Sequence, residues 1–278
     1  MTLTLAKSLN ELPEYTGVLA NLVARDLKVK YQTKALGFLW SLLYPGIMIA
    51  IWYMVFKSII RIEMPHYWAF LICGMLPYQF VQNAVAEGAG AVRRNSGLIR
   101  KIYLPMEILV IAGVTVKLIE FVIQMSIAVL LLMLLHRSDE HVHFAFWRTM
   151  IVVPPAIGLF YLFVLGVSLP LAAWSVIYRD LEHMITLALM ALFYLTPIFW
   201  SLTFIDGSRW KWLFALNPVM SFIELLRAPL YWGQWPTNPA IGGGAILAWF
   251  LACVFAAGAF VLGYTLFDKS KHVLAEVV

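Results

Sequence analysis

Charge is scarce in this sequence. Asp, Glu, Lys and Arg make up 13% of the 278 residues, against about 25% in an ordinary soluble domain. Cysteine is nearly missing. The two present, Cys73 and Cys253, sit inside apolar runs, which excludes a disulfide framework and any cysteine-based metal spacing. No Gly-x-x-x-x-Gly-Lys-[Ser/Thr] occurs, so the chain carries no phosphate loop of its own, and neither His-Glu-x-x-His nor Gly-x-Ser-x-Gly is found. Catalytic constellations are therefore absent. His136, His141 and His143 cluster in one short loop, but their spacing matches no metal-ligand set, and a solvated loop is the better reading. The first apolar run is too long for a signal-peptide core, and about 35 mixed polar residues precede it. No soluble domain, low-complexity linker or internal repeat is found.

Apolar residues are abundant instead. They form 62% of the chain, aromatics 15%, and the mean hydropathy is +0.83. One soluble core cannot hide so much apolar surface, so lipid must be the solvent over much of the molecule. That excludes a soluble enzyme, a nucleic-acid-binding domain and a secreted disulfide scaffold. Six runs are long enough to cross a bilayer, at about 36–60, 66–87, 104–135, 147–177, 181–202 and 240–267. They are continuous and lack period-2 alternation, so the expected class is an all-α integral membrane protein with six transmembrane helices. An even number places both ends on one side. Loops on that side, 1–35, 88–103, 178–180 and 268–278, carry 12 Lys and Arg residues, and the opposite loops carry 5. The positive-inside rule then makes both termini cytoplasmic.

Three segments between the spans stand out. Within 14–31, Tyr15, Val18, Leu19, Leu22, Val23 and Leu27 recur at helical spacing, while Arg25, Asp26, Lys28 and Lys30 supply a polar face. This predicts an amphipathic helix lying in the membrane interface, with a simple anchor as the plainer use. The basic loop from Arg93 to Tyr103 carries Leu98 and Ile99, which no core requires. Asn95 or Ser96 can cap a short helix there, suited to docking a cytosolic partner; a purely topogenic basic loop is the alternative. The aromatic stretch 203–239 predicts two short re-entrant helices, 208–216 and 219–228, or else an interfacial aromatic belt.

Inside the spans, Lys117 and Glu120 stand at i, i+3 deep in the third and can pair on one face. Intramembrane charges are functional candidates by default, with an internal pair as the structural alternative. Glu224 and Arg227 repeat this spacing. Trp40, Tyr44 and Trp52 share one helical face of the first span, and Phe193, Tyr194, Phe199 and Trp200 cluster in the fifth. Such aromatics pack on lipid or neighbouring helices, or stack on the C–H faces of sugars.

An ordered set of motifs carries a resemblance over nearly the whole chain. It starts with Arg25-Asp26-Leu27-Lys28-Val29-Lys30-Tyr31, Leu36-Gly37-Phe38-Leu39-Trp40 and Pro45. Cys73-Gly74-Met75-Leu76-Pro77-Tyr78, Asn95-Ser96-Gly97-Leu98-Ile99-Arg100-Lys101 and Leu104-Pro105-Met106-Glu107 follow. Tyr178-Arg179-Asp180, Thr196-Pro197-Ile198, Asn217-Pro218, Gly263-Tyr264 and Phe267 complete it. Together they resemble the polysaccharide-export permeases (O-antigen, capsule, teichoic acid) of the ABC type-2 exporters; one departure is Tyr103-Leu104-Pro105, where Phe is expected before Pro.

The resemblance implies an interface helix over 14–31 and a coupling helix over 94–103 that seats in a separate ATP-binding subunit, with Arg179 and Asp180 nearby. It implies outer gate helices over 204–235, a second copy of the chain, and a lipid-linked glycan as substrate. Trp40, Tyr44, Trp52, Phe193, Tyr194 and Trp200 would line the path. ATP and magnesium would belong to the partner, leaving this chain with no cofactor, no metal and no covalent chemistry in a bacterial cytoplasmic (inner) membrane. The rivals are an ABC permease for a drug, peptide or other small molecule, an ion-driven secondary transporter, and a membrane-embedded transferase.

Overall fold

The computed structural model describes residues 15–32, 39–99, 104–136, 145–178, 180–201, 214, 216–238 and 243–277. Among these, every regular element is helical. They are α1 (Thr16–Gln32), α2 (Leu39–Tyr53, continued by a π-helical stretch Met54–Ile59), α3 (Tyr67–Arg94), α4 (Ser96–Ile99), α5 (Met106–His136), α6 (Phe146–Ile177), α7 (Leu181–Leu195), α8 (Pro218–Arg227, continued by a π-helical stretch Ala228–Trp232) and α9 (Ala245–Val277).

Five of these helices are long and apolar enough to cross a membrane: Leu39–Ile59, Tyr67–Arg94, Met106–Leu134, Phe146–Ile177 and Ala245–Lys271. The expected span over 181–202 is shorter than its apolar run. The helix stops at Leu195 because Pro197 forces Thr196 out of the helical region, to φ −104 and ψ 132. Its 15 residues reach roughly 22 Å, against the ~30 Å of a hydrocarbon core. The second helix departs the other way. It continues past the expected end near 87 to Arg94, so half of the expected loop 88–103 is helix.

The helix α3 is the centre of the molecule and is buried along most of its length. It packs on α5, α6, α2, α7 and α8. Phe80 stacks on Phe121 at 4.8 Å between ring centroids and meets Phe160 edge-on, so one aromatic layer joins α3, α5 and α6. The helices α6 and α9 approach most closely through small residues, as helices in lipid do. A Cβ on Gly166 would lie 2.5 Å from Ala259 C and Phe260 N, and one on Gly263 would overlap the Gly166 carbonyl.

The outer segment is folded onto this core. Asn217 caps α8, its Oδ1 accepting from Val219 N at 3.0 Å and Met220 N at 3.4 Å, with Pro218 in the first turn. The 219–228 helix is thus present, one residue earlier than expected; 208–213 lies outside the described residues. Arg148 of α6 donates to the Gly233 carbonyl and lies 5.8 Å from the Trp235 ring centre, tying the end of this segment down.

Candidate functional site

The amphipathic helix α1 docks by its apolar face. Leu22 and Val23 are buried, and Tyr15, Leu19 and Leu27 pack partly against the core, while Val18 stays at the exposed edge. On the polar face, Arg25 pairs with Asp26 at 2.7 Å and reaches Asn95 Oδ1 at 3.4 Å; Lys28 is exposed. Lys30 turns inward. Its Nζ donates to Glu120 Oε1 at 2.5 Å, and Tyr31 Oη donates to the same oxygen at 2.8 Å. Burial and the adjacent Glu120 carboxylate push the Tyr31 phenol above its ordinary range, so it remains an un-ionised donor.

The Lys117–Glu120 pair expected from the spacing is present, and it belongs to a larger set of charges. Lys117 stands 3.7 Å from Glu120 and equally 3.7 Å from Glu87 of α3. The pair is one part of a network joining α1, α3 and α5. Lys117 and Glu120 stand near the middle of the 31 residues of α5, just ahead of a stretch, 121–136, that carries no charge. The helix that covers them is α1.

Two cavities flank this network. The larger, about 460 Å³, is lined by Arg25, Lys30, Arg94 and Lys117 with Asp26 and Glu87 among the charged groups. The smaller, about 170 Å³, lies on the other side of Lys30 and Glu120, against α2.

Beside α1 is the short turn of helix α4. Asn95 closes α3, its Nδ2 donating to the Ala91 carbonyl at 2.9 Å, and Ser96 opens α4. Leu98 and Ile99 are half-buried against the core, so only part of their apolar surface faces outward. Arg100, Lys101 and Arg179 lie outside the described residues. Asp180 is exposed at the start of α7, next to Glu182, which pairs with Arg93 at the end of α3. That ion pair carries the end of α3 onto the start of α7.

The six aromatic candidates divide into three environments. Trp52 and Phe193 are packed inside the chain: Trp52 lies 4.5 Å from Phe199 and 6.4 Å from Phe193, and Phe193 lies 5.1 Å from Tyr78. Trp40 and Tyr44 are 49% and 57% exposed and border the smaller cavity, away from that cluster. Tyr194 is exposed, and Trp200 is half-buried against Phe214, at 5.3 Å. The first-span face therefore does not act as one aromatic strip, since Trp52 is spent on internal packing.

Sequence reading underrated Arg227. It is 1% exposed and pairs with Glu224 at 2.6 Å. It also donates to the Pro197 carbonyl at 3.2 Å and the Ile198 carbonyl at 3.4 Å, and lies 3.9 Å from the Phe70 ring centre. One guanidinium thereby joins α8, the break after α7 and the start of α3. Nearby, Tyr231 donates to the Pro65 carbonyl at 2.6 Å, and burial pushes its phenol up to about 12. Reading also passed over Glu87, Gln79, Asn83 and Gln124; polar side chains within apolar runs were the available signal.

Residues 18–231 match the model of the ABC-2 type transporter family. The chain is 30% identical over 252 residues to the O-antigen export system permease protein RfbA of Myxococcus xanthus, covering 88% of this chain and 94% of that one. It is 26% identical to an RfbA of Klebsiella pneumoniae over 91% of this chain and 92% of the relative. The polysialic acid transport protein KpsM of Escherichia coli is 24% identical over 74% of this chain and 78% of its own length. With most of its length matched in order, the chain belongs to the ABC-2 type transporter family.

Proposed function

We propose that this chain is the membrane permease subunit of an ABC exporter that moves a lipid-linked polysaccharide of the O-antigen kind across the bacterial cytoplasmic membrane. The observation that carries the reading is the near full-length similarity to relatives named for O-antigen export. The geometry is consistent with it. Among the described residues, the charged groups of the network serve to dock α1, which suits a conduit better than an ion-coupled pump.

In this reading the chain crosses the membrane six times, with α7 and the residues after Thr196 making the fifth crossing, and both termini are cytoplasmic. A second copy completes the path. The α4 turn with Arg100 and Lys101, together with Arg179 and Asp180, meets a separate ATP-binding subunit that holds the nucleotide and magnesium. Closure of two such subunits pushes on α4. The end of α3 transmits the push to α7 through Arg93 and Glu182. The segment 204–235 forms the outer gate, held by Arg227. Exposed aromatics (Trp40, Tyr44 and Tyr194) suit a sliding polymer because stacking tolerates changes in sugar sequence, while Trp52, Phe193 and Trp200 back the wall from within.

The test is copurification of the chain with its candidate ATPase, followed by ATP hydrolysis with and without lipid-linked glycan. The expected result is a stable complex, glycan-stimulated hydrolysis, and loss of that stimulation in Leu98→Asp and Arg100→Glu. Failure of any ATPase to associate, with normal glycan export in the mutants, refutes the proposal.

A further inference from the structure

The larger cavity beside α1, about 460 Å³, is distinguished by its charge. Arg25 and Val29 of α1 and Arg94 at the end of α3 are exposed and form its mouth. Its floor is α5, where Gly113 and Val116 are buried and the Lys117 side chain is 13% exposed. Four cations line it, Arg25, Lys30, Arg94 and Lys117, against the carboxylates of Asp26 and Glu87. Three of the cations are held at close range: Arg25 by Asp26 at 2.7 Å, Arg94 by Glu87 at 2.5 Å, and Lys30 by Glu120 at 2.5 Å. Lys117 is not. Glu87 and Glu120 both stand 3.7 Å from its ammonium, beyond hydrogen-bond length, and each is already bonded to another cation. With Glu120 counted, the cluster keeps one positive charge in excess. A mostly buried ammonium without a close anion is costly, and an anion in the cavity relieves it.

A phosphodiester suits this site in charge, donors and surroundings. It carries one negative charge, equal to the excess. Its two non-bridging oxygens can accept from the Lys117 ammonium at the floor and from the guanidinium groups at the mouth, where Arg side chains match phosphate geometry. A dianion would reverse the sign of the cluster. Val29, 63% exposed beside these cations, offers an apolar neighbour to a glycerol backbone and its first acyl carbons; free phosphate has no use for one and would leave most of the space unfilled. A headgroup with an ammonium of its own puts back the charge that its phosphate removes. The chemistry therefore favours phosphatidylglycerol over phosphatidylethanolamine or phosphatidylcholine. Basic amphipathic helices and basic pockets between membrane helices attract anionic lipids by the same physics.

We infer that this cavity binds the phosphodiester of an anionic phospholipid from the leaflet in which α1 lies, with Lys117 holding the phosphate at the floor and Arg25 and Arg94 closing over it. The bound lipid joins α1 to α3 and α5 beside the Glu120 anchor, so α1 docks more tightly in an anionic membrane. The inference asks only for a bilayer and does not depend on the cargo that the chain moves.

The test uses the full chain in a non-ionic detergent, with lipid binding followed by native mass spectrometry. The probes are phosphatidylglycerol, phosphatidylethanolamine and phosphatidylcholine with identical acyl chains. Phosphatidylglycerol should bind most tightly. Arg25→Gln and Lys117→Met should each weaken it about fivefold, the effect of one cation near a lipid phosphate. Lys28→Gln removes the same charge from the exposed face of α1 without lining the cavity, and should leave binding within about twofold of the wild type. Arg25 is half-exposed, so its variant reports on binding even if Lys117→Met fails to give monodisperse protein. Hydrogen–deuterium exchange supplies the second readout: phosphatidylglycerol, and not phosphatidylcholine, should slow exchange of Thr16–Gln32 in the wild type and fail to do so in Arg25→Gln. Equal binding of phosphatidylcholine, or a loss in Lys28→Gln as large as in Arg25→Gln, would show attraction to a charged surface only and overturn the site. Displacement of phosphatidylglycerol by millimolar inorganic phosphate, or by a polyprenyl diphosphate at lower concentration than the phospholipid, would overturn the assignment to a phospholipid.

Discussion

Replacing Glu120 by Leu should release α1 from the body of the protein. Glu120 is buried and accepts two charge-assisted hydrogen bonds, from Lys30 at 2.5 Å and Tyr31 at 2.8 Å. Each such bond contributes about 1.5–3 kcal/mol. The Lys30 side chain is 32% exposed and can turn to water when its partner is lost, so the low end applies to it. The expected loss in α1 docking is then about 2–4 kcal/mol, allowing for overlap between the two bonds. At about 1.4 kcal/mol per decade, the lower figure corresponds to a roughly 30-fold rise in local opening. Hydrogen–deuterium exchange of the purified protein reads this directly. Amides of Thr16–Gln32 should exchange at least ~30-fold faster, while those of Pro218–Arg227 stay as in the wild type. Exchange in α1 within about twofold of the wild type would refute the assignment of Glu120 as its anchor.

Arg227→Met strands Glu224 and two backbone carbonyls; it should cost about 3–5 kcal/mol and lower the melting temperature by roughly 10 °C in a thermal-shift assay, and Arg227→Lys should recover little because an ammonium lacks the guanidinium fork. Gly263→Ala places a methyl on the Gly166 backbone and should abolish monodisperse protein in size-exclusion chromatography, whereas Gly258→Ala, which meets nothing within 4 Å, should be silent. The Tyr231 phenol, raised to about 12 from 10.0, favours the folded state below the unfolded value, and that contribution is lost as pH rises from 10 toward 12. The ultraviolet difference between wild type and Tyr231→Phe should therefore show no phenolate at pH 10; half-ionisation there would contradict the burial of this group.

Hydropathy alone was enough for the class and most of the helices, because apolar runs of this length have no other stable use than spanning lipid. Its boundary errors share a cause. A run of apolar residues measures what lipid tolerates, and helix ends are fixed by backbone chemistry. Pro197 ended α7 inside its run, and Arg94 stayed helical beyond the second run because Glu87, a turn-aligned neighbour on the same helix, pairs with it at 2.5 Å. The amphipathic face of α1 was legible in the same way, since period and polarity are local properties.

The pairing of the buried charges was not legible. Spacing placed Lys117 beside Glu120, and any helix would bring them together. Only the tertiary packing brought Lys30 and Tyr31, some ninety positions away, to the same carboxylate. The aromatics make the same point. Sequence put Trp40, Tyr44 and Trp52 on one face, but which rings are exposed depends on what packs against that face. Trp52 met Phe199, while Trp40 and Tyr44 met a cavity edged with amides. Sequence by itself determined the solvent, the helical class and the family, all of which follow from composition, period and motif order. Which charges pair, where the chain is hollow and which aromatic rings remain free were decided by the tertiary structure, because each depends on contacts between helices far apart in the chain.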